Sequence, residues 1–254
     1  SYRQLRLSRK KRIKMASTTN KATNAASLWL EGLGALIFPR ICHLCGNQLF
    51  KNETTVCRYC LLNLPRTHFE GYRHNKVEQI FWGRVNLEYG FSIYYFRKKE
   101  KIQQLMHEIK YRGNQKLAIT IGQEMGRILK EAGLTNTINY LIPVPLHEKK
   151  LKLRGYNQSE LICEGLSEAT GIPLATQILQ RAQFTSTQTK KGRYDRWENV
   201  ENSFVVNSLS FNNNHFLVVD DVITTGATLE ACCQALLQIP GARVSVGSVA
   251  YASD

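Results

Sequence analysis

The chain has 254 residues, 43% hydrophobic and 21% charged, which suits one large domain or a medium domain with a small one. Its 6 Pro and 17 Gly exclude collagen-like and Pro-rich fibrous classes, and no run of about 18 apolar residues offers a membrane-spanning helix. Lys and Arg number 34 against 20 Asp and Glu, and this net +14 favours an anionic partner, either nucleic acid or a phosphorylated metabolite.

Much of that charge sits at the start. Arg3, Arg6, Arg9, Lys10, Lys11, Arg12 and Lys14 fall within residues 1–14, and without them the net charge is +7. Met15 follows, and the sequence after it reads as a protein start. A genuine basic tail and an upstream artefact or tag are the two readings of residues 1–14. Residues 1–27 are basic, then rich in Ser, Thr, Asn and Ala, which predicts a disordered tail. The apolar segment Leu28–Phe38 contains Glu31 and ends in Phe-Pro-Arg. It lacks a small-residue cleavage site, so a short amphipathic helix is expected there rather than a signal peptide or anchor.

Seven cysteines follow, at 42, 45, 57, 60, 163, 232 and 233. An odd number with two CxxC pairs does not form a secreted disulfide framework, which points to a reducing cytoplasm. Cys42-His43-Leu44-Cys45 and Cys57-Arg58-Tyr59-Cys60 are separated by eleven residues. Each pair turns two sulfurs toward one point, and four soft thiolates suit tetrahedral Zn²⁺. A closed shell of Cys42, Cys45, Cys57 and Cys60 makes the site structural. Four unrelated thiols, or a redox pair, is the competing reading. His43 is expected to be a solvent-facing spacer. Residues 28–65 are therefore assigned to a zinc ribbon, and the polar stretch 66–90, with Phe69, Tyr72, Phe81 and Trp82, to a connector.

From residue 91 to 254 the pattern is α/β. Phe91–Phe96 reads as a strand. Ile102, Leu105, Met106 and Ile109 are spaced for one face of a helix over Lys101–Tyr111, and Leu117, Ile121, Met125, Ile128 and Leu129 mark a second helix. Tyr140–Val144 is a short buried strand, Gln158–Ala169 a helix, Phe216–Val219 a strand, Thr228–Leu237 a helix and Arg243–Ala250 a last strand. This alternation predicts a mostly parallel sheet covered by helices.

The segment Asp220-Asp221-Val222-Ile223-Thr224-Thr225-Gly226-Ala227-Thr228 follows an apolar strand and opens a helix. Hydroxyls at Thr224, Thr225 and Thr228, backbone access at Gly226 and a helix N-terminus together attract a phosphate. Two acids beside such a loop make sense when the ligand also carries a diol. An Asp-rich turn is the blander alternative. A second cationic loop, His147–Arg154 with Lys149, Lys150 and Lys152, leads to Gly155 and suits pyrophosphate or merely solvent. Gln183–Asn199 is polar and basic and reads as a mobile loop.

The acidic-Thr-Gly loop resembles the signature of type I phosphoribosyltransferases, which bind phosphoribosyl pyrophosphate (PRPP). Taken with Phe38-Pro39-Arg40-Ile41-Cys42, both CxxC pairs, Lys110-Tyr111-Arg112-Gly113, the Pro-Val-Pro and Arg154-Gly155-Tyr156-Asn157-Gln158 segments, and Gln188, Arg196 and Asn199, the sequence resembles the ComF family over residues 35–252.

The resemblance implies a zinc ribbon on a phosphoribosyltransferase domain and a role in DNA uptake during natural transformation. It implies that Asp220 and Asp221 hold the ribose, that Val222–Thr228 hold the 5′-phosphate, and that Arg154, Gly155 and Arg196 face pyrophosphate accompanied by Mg²⁺. No general base for an acceptor stands out. Three classes follow: a transferase of unknown acceptor; a PRPP-responsive accessory protein that binds single-stranded DNA and the uptake machinery; and, weakest, a PRPP-sensing regulator on duplex DNA.

Overall fold

The computed structural model describes residues 39–182, 204–207 and 211–252. The expected tail, the segment Leu28–Phe38 and the stretch Gln183–Asn199 with Arg196 lie outside the described residues.

In chain order the elements are α1 (Arg58–Leu62), α2 (Lys76–Ile80), β1 (Gly90–Tyr95), α3 (Lys101–Tyr111) and α4 (Gln115–Glu131). Then come β2 (Tyr140–Pro143), α5 (Glu148–Arg154), α6 (Gln158–Thr170), β3 (Leu179–Arg181), β4 (Phe204–Val206), β5 (His215–Ile223), α7 (Ala227–Leu236) and β6 (Arg243–Tyr251). Four strands form one parallel sheet in the order β1-β6-β5-β2, and β3 pairs with β4 antiparallel. A parallel sheet needs both faces covered. Phe216, Leu217, Val218 and Val219 of β5 and Val244, Val246 and Val249 of β6 are accordingly buried. No helix among the described residues is long and apolar enough to cross a membrane.

The expected helix over Lys101–Tyr111 forms with those bounds, and Ile102, Leu105, Met106 and Ile109 are all buried. Each such side chain contributes about 1.5–3 kcal/mol relative to exposure. The α4 stripe of Leu117, Ile121, Met125, Ile128 and Leu129 is likewise buried. Helices α4 and α6 touch backbone to backbone. A Cβ on Gly122 would lie 2.1 Å from the Ile162 carbonyl oxygen, and one on Gly165 would lie 2.0 Å from that of Ile119. Glycine at these helical positions costs up to about 1 kcal/mol in propensity. The close crossing it allows offsets that cost.

Two local expectations change. The strand expected to end at Val219 runs on to Ile223, with Asp220 in register with Ser248 and Val222 with Ala250. Polarity ends the apolar pattern there, while hydrogen bonding to β6 continues. The basic loop His147–Arg154 is largely helix α5. The His147 side chain caps it by accepting from the Lys149 N–H, and Gly155 ends it in the left-handed conformation at φ 79°. No residue of α5 is buried, so it carries no apolar stripe by which to predict it.

Residues 66–90, expected to be a connector, hold a 3-10 turn (Phe69–Gly71) and α2. Phe69, Val77 and Phe81 join the same core as the sheet. Asn75 fastens this stretch: its side chain caps α2 and donates to the Gly90 carbonyl at 2.8 Å.

Candidate functional site

The parallel sheet sends every strand's carboxyl end to one edge, where α/β folds bind ligands. β2 pairs with β5 only as far as Pro143 opposite Val219. Asp220 therefore lies just beyond the pairing with β2, open to the loops that follow β2. Its Oδ1 accepts from the Ser159 hydroxyl at 3.1 Å and from the Asp221 N–H at 2.8 Å. Asp221 takes a different partner, with Lys110 Nζ 3.1 Å from its Oδ2. Burial, then the neighbouring Asp221 charge, pushes the Asp220 carboxyl up to about 7, against the opposing pull of the Asp221 N–H, Ser159 and Lys110.

After β5 the chain turns through exposed Thr224 and Thr225 into α7, with Thr228 also exposed. Gly226 is the N-cap residue, at φ 77°, and no side chain caps the helix. The Ala227 N–H makes only a long bond of 3.5 Å to Thr225 Oγ1, so the N-terminal N–H groups of α7 can turn to an anion, with the helix dipole behind them. The sequence suggests that Gly226 is there for ligand approach. The structure adds a second reason from behind: a Cβ would come within 2.7 Å of Ile80 Cγ2 and 3.0 Å of Phe81 Cζ. Helix α2 therefore braces the loop.

Arg154 lies at the end of α5, its guanidinium 5.3 Å from the Tyr111 ring centre and its Nη1 2.8 Å from Gln158 Oε1. Arg154 Nε and Gln158 Nε2 are buried and have no partner among the described residues. Tyr156 donates its hydroxyl hydrogen to the Ile109 carbonyl, tying this segment to α3. The structure thus brings Asp220 and Asp221 together with Ser159 and Lys110, and the Arg154–Gln158 pair immediately precedes Ser159 in the chain. Sequence reasoning left Lys110, Ser159 and Gln158 out of the candidate set. Lys110 and Gln158 stand in the Lys110–Gly113 and Arg154–Gln158 segments that carry the family resemblance, whereas Ser159 has no signal beyond following that segment. Arg196 lies outside the described residues.

The cysteine cluster is the second candidate centre. The first pair sits on a turn closed by the Gly46 N–H to the Cys42 carbonyl at 2.9 Å, and Cys57 caps α1, which carries Cys60. The four sulfurs lie within 4.8 Å of one another. Zn–S bonds of about 2.3 Å put tetrahedral sulfurs about 3.8 Å apart, and Cys45 Sγ is 3.7 Å from Cys57 Sγ.

Leu44 N–H and Cys57 N–H point at Cys42 Sγ, 3.4 and 3.3 Å away. Burial raises the Cys42 thiol, yet these N–H groups bring it down to about 7. Burial and the neighbouring cysteines push Cys60 up to about 12. A divalent cation reverses that imbalance by stabilising all four thiolates. The set can hold a metal such as zinc, with no coordination position left over. His43 is exposed but faces Glu108, its Nδ1 3.5 Å from Oε2, so it is more than a spacer. Gln104 Nε2 donates to the His43 carbonyl at 2.8 Å, and Thr54 Oγ1 lies 3.2 Å from Thr120 Oγ1, docking the ribbon on α3 and α4.

The phosphoribosyl transferase domain matches residues 168–253, which contain the loop and α7. Competence protein F of Haemophilus influenzae is 30% identical over 161 residues, covering 60% of this chain and 69% of that protein. The chain belongs to the ComF family. Within it, the DNA utilization protein YhgH of Salmonella typhimurium is 31% identical over 56% of this chain and 63% of its own length. Competence protein ComFC of Bacillus subtilis is 24% identical over 82% of each chain. Among solved structures, the allosteric regulatory enzyme of purine biosynthesis overlays with TM-score 0.39 at 15% identity, over 56% of this chain and 30% of that one.

Proposed function

We propose that this ComF chain binds PRPP at the β5–α7 turn and acts in DNA uptake, transferring the phosphoribosyl group to an acceptor with release of pyrophosphate. The observation that carries this reading is the joining of an uncapped helix N-terminus at Gly226 with two carboxylates at the end of the same strand. The N–H groups of α7 and the hydroxyls of Thr224, Thr225 and Thr228 take the 5′-phosphate. Asp220 and Asp221 accept from the ribose hydroxyls. Arg154 and Gln158 supply the buried donors Nε and Nε2, which suit pyrophosphate oxygens. Gly155 allows the backbone to approach them, and Arg196 is assigned to the same charge.

Transfer requires an acceptor lone pair to attack the anomeric carbon while its bond to the pyrophosphate oxygen breaks. The electron pair leaves with pyrophosphate, and Mg²⁺ enters as part of the PRPP substrate. Zn²⁺ in the four-cysteine cluster has a structural role. A cytoplasmic site of action accords with seven cysteines outside any disulfide, four of them gathered in the metal set.

A second reading makes PRPP a regulatory ligand of a single-stranded DNA-binding accessory protein. What favours it is the exposed Tyr59, 68% accessible, with Lys101 Nζ 5.6 Å from its ring centre. An exposed ring beside a cation is what a base and its phosphate require.

Calorimetric titration of PRPP with Mg²⁺ tests the reading. Wild type is expected to bind and Asp220→Asn/Asp221→Asn to lose binding; equal affinity in both, or none in folded wild type, rejects it. Pyrophosphate release on adding an acceptor separates the transferase from the accessory protein.

A further inference from the structure

Behind the phosphate loop lies a cavity of about 500 Å³ that the PRPP reading does not use. Its walls include Arg73, His74, Glu78, Trp82, Arg84 and Asn86. Trp82 is 59% exposed, unusual for the largest aromatic side chain, and His74 stands edge-on to it with ring centres 5.9 Å apart. No hydrogen bond holds the indole N–H among the described residues.

The cationic side of the cavity is fixed in advance. Glu78 is buried at 5% exposure, and its carboxylate accepts from the His74 N–H at 2.5 Å and the Gly90 N–H at 3.1 Å while pairing with Arg73 Nε at 3.1 Å. This grip holds His74 in the left-handed region at φ 61°, where a side-chain-bearing residue pays about 1–2 kcal/mol. The Gln79 amide secures it further by donating to the His74 carbonyl at 2.8 Å. Arg73 spends only its Nε side on Glu78, and its side chain remains 60% exposed. A strained backbone held by a buried acid, with an indole and a guanidinium displayed around one cavity, is a built arrangement.

We infer that this cavity is a nucleotide-binding pocket distinct from the PRPP loop, with the base stacked on Trp82 and the phosphate on Arg73. The volume falls in the range of small-molecule sites. An indole face binds any nucleobase, and a guanidinium fork matches phosphate oxygens. Asn86 brings an amide that can read a base edge. Arg84 joins the pocket to the loop: its Nη1 is 2.6 Å from Glu230 Oε2 on the first turn of α7, and its Nη2 is 3.4 Å from the Thr225 carbonyl. Arg84 therefore links the pocket wall to the phosphate loop without belonging to that loop.

Calorimetric titration of AMP into the full chain tests this, alongside Trp82→Leu, Arg73→Gln and Asp220→Asn/Asp221→Asn. Thermal unfolding of each variant verifies the fold; Trp82 and Arg73 are exposed, and Gln at 73 keeps a donor for Glu78. Wild type is expected to bind AMP, with affinity about tenfold weaker or worse in Trp82→Leu and Arg73→Gln and unchanged in the acid variant. The inference is overturned by no AMP binding to wild type, by affinity unmoved in the two pocket variants, or by loss confined to the acid variant, which assigns AMP to the phosphate loop. An oligonucleotide that binds where AMP does not also overturns it. PRPP titration of the pocket variants reads the other site separately, so failure here is distinguishable from failure of the PRPP reading.

Discussion

The cysteine cluster and the β5–α7 turn are both compact polar constellations, but they are built in opposite ways. The cluster is local. Cys42 to Cys60 span fewer than twenty residues, and the backbone N–H groups aimed at the sulfurs come from Leu44, Cys57 and Cys60 within the same stretch, with Lys101 Nζ, 3.5 Å from Cys60 Sγ, reaching in from α3. The turn is assembled from afar. Its glycine is braced by α2, Asp221 is gripped by Lys110 and Asp220 by Ser159. A metal site can be written in a short segment because the ion supplies the binding energy. A ligand site needs a rigid scaffold to hold its groups in position.

The largest effect that breaks this contrast is loss of a sulfur. Cys42→Ser or Cys60→Ser, or stripping by a chelator, should remove the metal and unfold the ribbon, at a cost of several kcal/mol. Elemental analysis should find one metal per wild-type chain. Limited proteolysis should then cut within residues 39–65 of the stripped protein while the sheet stays resistant. Cleavage spread evenly over the chain would show that the ribbon is not an independent local unit.

Gly226→Ala comes next. It forces a Cβ to within 2.7 Å of Ile80 at φ 77°, so a loss of about 2 kcal/mol is expected, with weaker PRPP binding. Chemical denaturation and calorimetry check the two parts. An alanine variant as stable as wild type would mean that α2 does not brace the loop.

Asp220→Asn should have a smaller effect of opposite sign. A carboxyl raised from 3.8 to about 7 is held protonated by the fold, so its ionisation costs stability as pH rises through that window. The cost is absent below about pH 3, where both states are protonated, and complete by pH 8. The variant, which keeps an oxygen for Ser159, should be more stable than wild type by about 1 kcal/mol at pH 8 and equal to it near pH 3. Thermal unfolding at both values decides; a variant less stable at pH 8 contradicts the raised carboxyl.

Smallest is His43→Ala. The ring faces Glu108 at 3.5 Å and is no part of the four-sulfur set, so metal content should be unchanged and stability should move by less than about 0.5 kcal/mol. A halved metal content would make His43 a ligand.

The same contrast governs what could be read from the sequence. The CxxC pairs and the helix over Lys101–Tyr111 were legible because spacing alone specifies them. The acidic-Thr-Gly segment was legible as a motif, but the length of β5 was not. Apolar character ends at Val219, whereas backbone pairing with β6 continues to Ile223 opposite Tyr251. Helix α5 escaped because it buries nothing. Phe69, Val77 and Phe81 are spaced by eight and four, but the polar stretch from Glu70 to Asn75 interrupts them and the first lies in a 3-10 turn while Val77 lies in a separate short helix, so no continuous helical stripe announces their burial. The Lys110–Asp221 pair and the Gly122–Ile162 contact join residues far apart in the chain, which no local pattern encodes.

The most direct test of the central claim is a crystal structure of the zinc-loaded chain with Mg²⁺ and PRPP. The account predicts the 5′-phosphate on the N–H groups of residues 224–228 and the ribose hydroxyls on Asp220 and Asp221. PRPP bound elsewhere, with this turn occupied only by solvent, would contradict it.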